Sequence, residues 1–393
     1  MSDTDAAPRV FSLRVRLLGY GLFLILILLM AELGARVLYW AWDSGLSDHL
    51  RKAPDPVSHI DVYERVDPDD ARNWNLRPGT GWTLGQLIAA KAARGATLRA
   101  NYLRDLGRRY GLGEDEVITR VNHAGYKGPE LLPGGTRPRV LTIGDSCTFG
   151  TLLDRFSYPR ALQSRLAGLG VDAEVINAGV EGYSPRNVRF RMDELLALKP
   201  DVVTIYLGWN ALYDARIGNL HSIRLYRLYR TVEKKLFGAP AVASVSAGQA
   251  GEGGDADLGR WRETDLPFVE EITDIGDHFA AAGARVVLLT LPGLFLEGVD
   301  PGPAALAKGH LPPFTRDSRV LAALTANYNQ RLRDLAADRG WQLVDLERWG
   351  RDHLKPRASF FLDSVHLVAE GQRDIGYHLA EQLRSSVAGS RRE

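Results

Sequence analysis

The chain has 393 residues, 45% hydrophobic and 25% charged, enough apolar material for one large domain with appendages or for two domains. Its 49 Lys and Arg balance 48 Asp and Glu, which leaves no electrostatic argument for nucleic acid as a partner. One cysteine, Cys147, excludes an intrachain disulfide and any cysteine-rich metal site, and the nine histidines form no short ligand pattern, so neither a metal nor another cofactor is expected.

Residues 17–31 read "LLGYGLFLILILLMA" without a charge, and the flank to Trp42 makes the stretch long enough to span a bilayer. Glu32 and Arg36 stand four apart, so on a helix they can pair and lower the cost of lying near the membrane. Tyr39, Trp40 and Trp42 would sit at the interface, and Arg9, Arg14 and Arg16 precede the run. Small residues for a signal-peptide cut are poorly placed around "LMAELGA". The expectation is a cytoplasmic N-terminus over 1–16, a single-pass anchor in the cell (inner) membrane over 17–42, and export of the remainder. The Glu32/Arg36 pair could also serve a membrane-protein partner.

Residues 43–135 form a lead-in expected to pack on the main domain. Within it, 72–82 read as irregular strand, 84–111 as helix, and "VNHAGYKGPE" (121–130) as a loop with two glycines. From 136 to 393 the pattern is regular. Apolar runs at 140–144, 173–179, 201–208, 285–293 and 341–347 alternate with helical stretches near 157–169, 186–198, 266–282, 318–338 and 369–386. That series predicts an α/β three-layer α/β/α sandwich on a five-stranded parallel sheet with right-handed crossovers. An insertion spans 211–265. Its segment 222–237 reads as a basic amphipathic helix, suited to a lid or to anionic lipid, and 243–259 is rich in Gly, Ala and Ser.

In such sheets the site forms beyond the carboxyl ends of the strands. Those ends carry Gly144-Asp145-Ser146, Asn177-Ala178-Gly179 and Gly208-Trp209-Asn210, and "FLDSVHL" after the last strand holds Asp363 and His366. Acyl transfer asks for such a set: a hydroxyl nucleophile, an imidazole base and a carboxylate that orients it. Asp363, three residues before His366, is near enough to reach its second ring nitrogen. Backbone N–H groups of Ser146 and Gly179 and the Asn210 amide could receive the oxyanion. Each residue also has a structural reading. Ser146 could cap a helix, Gly179 could be a turn glycine, and Asn210 and His366 could be loop residues. Cys147 reads as a small packed residue, Asp145 as ordering the turn, and Tyr183 as either packed or lining a pocket.

Taken together these residues resemble the SGNH (GDSL-type) hydrolase family, over roughly 136–388. Ser146, Gly179, Asn210 and His366 match its four signature residues in order, with Asp363 in its place, and "VNHAGYKGPE" behind an apolar N-terminus is similar to membrane-anchored bacterial members. The resemblance implies a flavodoxin-like fold, a Ser146–His366–Asp363 triad, and no metal. It departs from the pattern at Ala211, where the family usually carries Asp. The expected activity is a membrane-anchored serine esterase or O-acyltransferase, acting on acyl esters such as acetyl groups of an envelope or extracellular polysaccharide. The alternatives are a lipid-ester hydrolase and a catalytically silent scaffold that binds polysaccharide or a partner.

Overall fold

The computed structural model describes residues 13–43, 63–65, 74–93, 97–133, 137–150, 153–214, 255–312 and 314–390. They fall into two compact units, one holding helix Leu13–Asp43 and the other holding every remaining described element.

Helix Leu13–Asp43 contains the stretch Gly19–Val37, with a mean hydropathy of 1.9, long and apolar enough to cross a membrane. Its large apolar side chains between Tyr20 and Met30 are exposed, a surface that water does not favour. Glu32 and Arg36 pair at 2.9 Å, as their helical spacing allows.

In the second unit, β1 (Tyr63–Arg65) pairs antiparallel with β2 (Trp74–Leu76), and β3 (Gly81–Thr83) with β4 (Val117–Arg120). The expected helix at 84–111 is two helices, Leu84–Ala93 and Thr97–Tyr110, packed on each other. The main sheet follows: β5 (Arg139–Gly144), β6 (Glu174–Gly179), β7 (Val202–Tyr206), β8 (Arg285–Leu289) and β9 (Gln342–Val344). Its order is β6-β5-β7-β8-β9 and all pairs are parallel, so the predicted five-stranded parallel sheet is present. β6, β7 and all of β8 but its first residue are buried, the continuous apolar reading of a sheet covered on both faces.

The connection after β5 runs outward to β6, whereas that after β7 runs the other way. Right-handed crossovers therefore put helix Tyr158–Gly168 on one face and helices Pro185–Arg189, Met192–Ala197, Phe268–Ala281 and Ser318–Arg339 on the other. The last helix, Ala369–Ala388, packs against Tyr158–Gly168. Gly376 makes that approach possible, since a Cβ there would come 2.5 Å from Ala161 Cβ. The divergence of the two connections opens a crevice beyond the carboxyl ends of β5 and β7.

Three predicted strands run too far at their carboxyl ends, for a common reason. Beyond β8, Leu291 is bonded through both N (2.8 Å) and O (3.0 Å) by the Asn329 side chain, which stands in for a neighbouring strand. Beyond β7, Tyr328 donates to Leu207 O at 2.7 Å. Beyond β9, Asp345 caps helix Leu346–His353 instead. The apolar runs continue, but side chains satisfy the backbone. Likewise the stretch expected as one helix at 186–198 is two short ones, broken after Arg189. The basic segment 222–237 and the Gly-rich residues up to 254 lie outside the described residues. The end of the expected insertion is helix Asp255–Glu263, packed on Ser318–Arg339.

Candidate active site

The sheet delivers Ser146 through a tight turn. β5 stops at Gly144, and Asp145 turns the chain and accepts Cys147 N at 2.8 Å, capping the single helical turn Ser146–Phe149. Two glycines permit this. A Cβ on Gly144 would collide with Thr148 and with Tyr206 O (2.7 Å), and one on Gly179 would run into Phe149 N and the Thr148 carbonyl carbon (2.7 Å). The Ser146 turn thus lies directly on the end of β6, which is in register with β5 at Gly144↔Gly179.

Ser146 Oγ is 2.7 Å from His366 Nε2, across 220 residues of sequence. His366 Nδ1 is 2.9 Å and 3.0 Å from the two oxygens of Asp363. Asp363 Oδ1 also accepts the N–H groups of Val365 (3.0 Å) and His366 (2.9 Å), so one carboxylate folds its own loop and fixes the ring. Such an acceptor sets Nδ1 as the protonated nitrogen and leaves Nε2 to accept from the serine. His366 is buried, and Ser146 and Asp363 are half-buried.

Asn210 is in the first turn of helix Trp209–Asp214 beyond β7 and donates from Nδ2 to Tyr183 O at 2.8 Å; an amide nitrogen carries a second N–H. Gly179, expected to offer a backbone donor, instead gives its N–H to Asn177 Oδ1 at 3.0 Å and is buried beneath the turn. Three residues further on, Gly182 is exposed, with φ +83°, and immediately precedes Tyr183. The signal for it was in "EGYSP", where a second glycine follows the strand. Tyr183 is a packed residue. Its ring meets Trp74 edge-on at 5.7 Å, and its hydroxyl donates to Trp74 O.

Asp145 is fully buried, with Oδ2 lacking a hydrogen-bond partner, and burial pushes its carboxyl up to about 7, against the pull of the Cys147 N–H. Cys147 is buried, its Sγ 3.5 Å from Val365 O. No group of three or more His, Cys, Asp or Glu that could hold a metal occurs among the described residues.

A family model described as the GDSL-like lipase/acylhydrolase family matches residues 142–373. Among solved structures, the acetyl xylan esterase AlAXEase is 19% identical, with a TM-score of 0.40 over 62% of this chain and 99% of that one. A catalytic mutant of Axe2, an acetylxylan esterase from Geobacillus stearothermophilus, is 19% identical with a TM-score of 0.40, over 65% of this chain and 96% of that one. TesA is 20% identical with a TM-score of 0.37, over 64% and 99%. No curated protein matches the chain.

Proposed function

The chain belongs to the GDSL-like lipase/acylhydrolase family and is an ester-bond hydrolase, and from that premise we propose that it works as a membrane-anchored serine esterase or O-acyltransferase through Ser146, His366 and Asp363. The observation that carries this reading is the continuous contact from Ser146 Oγ to His366 Nε2 (2.7 Å) and from His366 Nδ1 to Asp363 (2.9 Å). As Oγ attacks the ester carbonyl, Nε2 takes its proton, and Asp363 stabilises the imidazolium. Collapse of the tetrahedral species returns that proton to the leaving alkoxide and leaves an acyl-Ser146. Water then completes hydrolysis, or an acceptor hydroxyl completes transfer.

The developing oxyanion needs donors already in place, each worth about 3 kcal/mol. We assign the Ser146 N–H and the second N–H of Asn210 to this task. Since Asn177 holds the Gly179 N–H, we assign the third donor to Gly182, on the loop whose next carbonyl takes the Asn210 amide.

Helix Leu13–Asp43 supports the anchor, with the three arginines upstream of its apolar stretch Gly19–Val37 keeping the N-terminus cytoplasmic and the hydrolase unit outside. Tethering favours an ester fixed in the envelope, such as an acetylated polysaccharide, over a diffusing metabolite. Ser146→Ala is expected to abolish p-nitrophenyl acetate hydrolysis in folded protein and to remove labelling by a fluorophosphonate. Retained turnover in that variant overturns the mechanism, and a preference for long acyl chains across a chain-length series would replace the carbohydrate ester with a lipid ester.

A further inference from the structure

Ser146 stands on a helical turn of four residues, Ser146–Phe149, too short to hold itself. Inside the turn, the N–H groups of Phe149 and Gly150 reach Asp145 O (2.8 Å) and Ser146 O (2.9 Å). Every later carbonyl is met by a side chain from a distant part of the chain. Gln372 Nε2 donates to Cys147 O at 3.1 Å, and Asn177 Nδ2 to Thr148 O at 3.1 Å. Lys127 Nζ donates to Phe149 O at 2.9 Å and to Gly150 O at 2.8 Å.

Lys127 is the charged member of this set, and it comes from the lead-in, outside the family-matched span 142–373. It is buried, at 3% exposure, where an ammonium survives only if its charge and its protons are met. Asp154 supplies the counter-charge at 3.3 Å, the Phe149 ring lies 4.1 Å from Nζ, and the two carbonyls take protons. Burial lowers its pKa and Asp154 opposes that shift. Its backbone is fixed too, with Lys127 N donating to Asn177 O at 3.2 Å. A cation against the carbonyl end of the turn complements the partial negative charge there. The same lead-in grips the neighbouring loop. Trp74 Nε1 donates to Glu181 O at 3.1 Å, and Lys91 pairs with the Glu181 carboxylate at 2.9 Å, one residue before Gly182.

We propose that Lys127 is a positioning residue of the active site, its ammonium clamping the Phe149 and Gly150 carbonyls so that the turn aims Ser146 Oγ at His366. The proposal rests on the reading of Ser146 as nucleophile. The lead-in is thereby part of the machinery of the hydrolase and not a spacer between it and the N-terminal helix.

The test uses the full chain with p-nitrophenyl acetate, counting competent sites by fluorophosphonate titration. Lys127→Met removes both donors and the charge at similar length. Per titrated site it is expected to lower kcat roughly 10- to 100-fold, with KM within about twofold, because a misaimed nucleophile costs rate and not ground-state binding. Lys127→Arg, which keeps charge and donors, restores most of kcat. Wild-type kcat per titrated site in the Met variant overturns the proposal, as does an Arg variant no better than Met. Should the Met variant not fold, Asp154→Asn carries the test by removing the counter-charge without touching the carbonyls. Lowered kcat with unchanged KM supports the clamp, and unchanged kcat overturns it. Full activity in Ser146→Ala would instead remove the underlying reading, so the two failures are distinguishable.

Discussion

The two sides of the Ser146–His366 contact are built in opposite ways. The Asp363–His366 loop organises itself: Asp363 Oδ1 accepts from Val365 N, His366 N and His366 Nδ1, and Leu362 N donates to His366 O at 2.7 Å. The Ser146 turn closes three backbone bonds of its own, onto Asp145 O and Ser146 O, and borrows Lys127, Asn177 and Gln372 for its other carbonyls. A loop folded by neighbouring residues keeps its shape as long as they are present. A single turn keeps its shape only while the tertiary structure around it holds, because nucleating a helix costs more than one turn returns. The histidine side of the site is therefore built mainly from within, with Ser364 held from outside through Leu294 N (2.9 Å) and His310 N (2.8 Å), and the serine side is the more collective one.

Substitutions on the two sides should differ accordingly. The largest effect on rate alone is expected on the histidine side. Asp363→Asn keeps an oxygen for the two backbone N–H groups, so the loop persists and Tm moves little. Its amide nitrogen then faces His366 Nδ1, the ring takes the wrong tautomer, and kcat falls by about 10⁴. A large loss of Tm in steady thermal melts would contradict a loop built mainly from within. On the collective side, Gly179→Ala presses a methyl into the backbone of Thr148 and Phe149. It should cost about 1–3 kcal/mol by denaturant unfolding together with activity, where Asp363→Asn separates the two. Activity untouched by Gly179→Ala would mean the turn is not seated on β6 as described.

A change read in stability against pH, and not in rate, is expected from Asp145 at the start of the turn. Burial raises its carboxyl from 3.8 to about 7, so the native state holds the proton more tightly than the unfolded chain. Stability should then decline as pH rises from 3.8 to about 7 and level off above. Asp145→Asn, which keeps an oxygen for Cys147 N, is expected to flatten that segment of a pH series of urea midpoints. An identical slope in the variant would assign the decline to other groups.

The same contrast governs what could be read in advance. Asp363 and His366 are three apart, so their meeting is a property of a short stretch of chain and was visible as Asp-x-x-His. Ser146 announced itself by ending an apolar run at Gly-Asp-Ser. The supports of its turn did not. Lys127 sits in a loop between Gly125 and Gly128, a setting in which lysine is ordinarily solvated, and nothing local says that its ammonium reaches Phe149. Gly179 was expected to donate to an oxyanion. Its position under Thr148 and Phe149, with its N–H held by Asn177, depends on how β5 and β6 align. Gly182 lies beyond the end of β6, where no periodic pattern marks a residue.

Periodicity alone, through alternating apolar runs and helical stretches, determined the parallel sheet and its helices, because period and burial are properties of consecutive residues. Composition likewise determined the apolar N-terminal helix, and residue order the three-residue spacing of Asp363 to His366. Tertiary structure decided the order β6-β5-β7-β8-β9, the 2.7 Å approach of Ser146 to His366 across 220 residues, and the seating of Lys127 against the turn. Those depend on the energy of groups far apart in the chain meeting in one place, which no local pattern records.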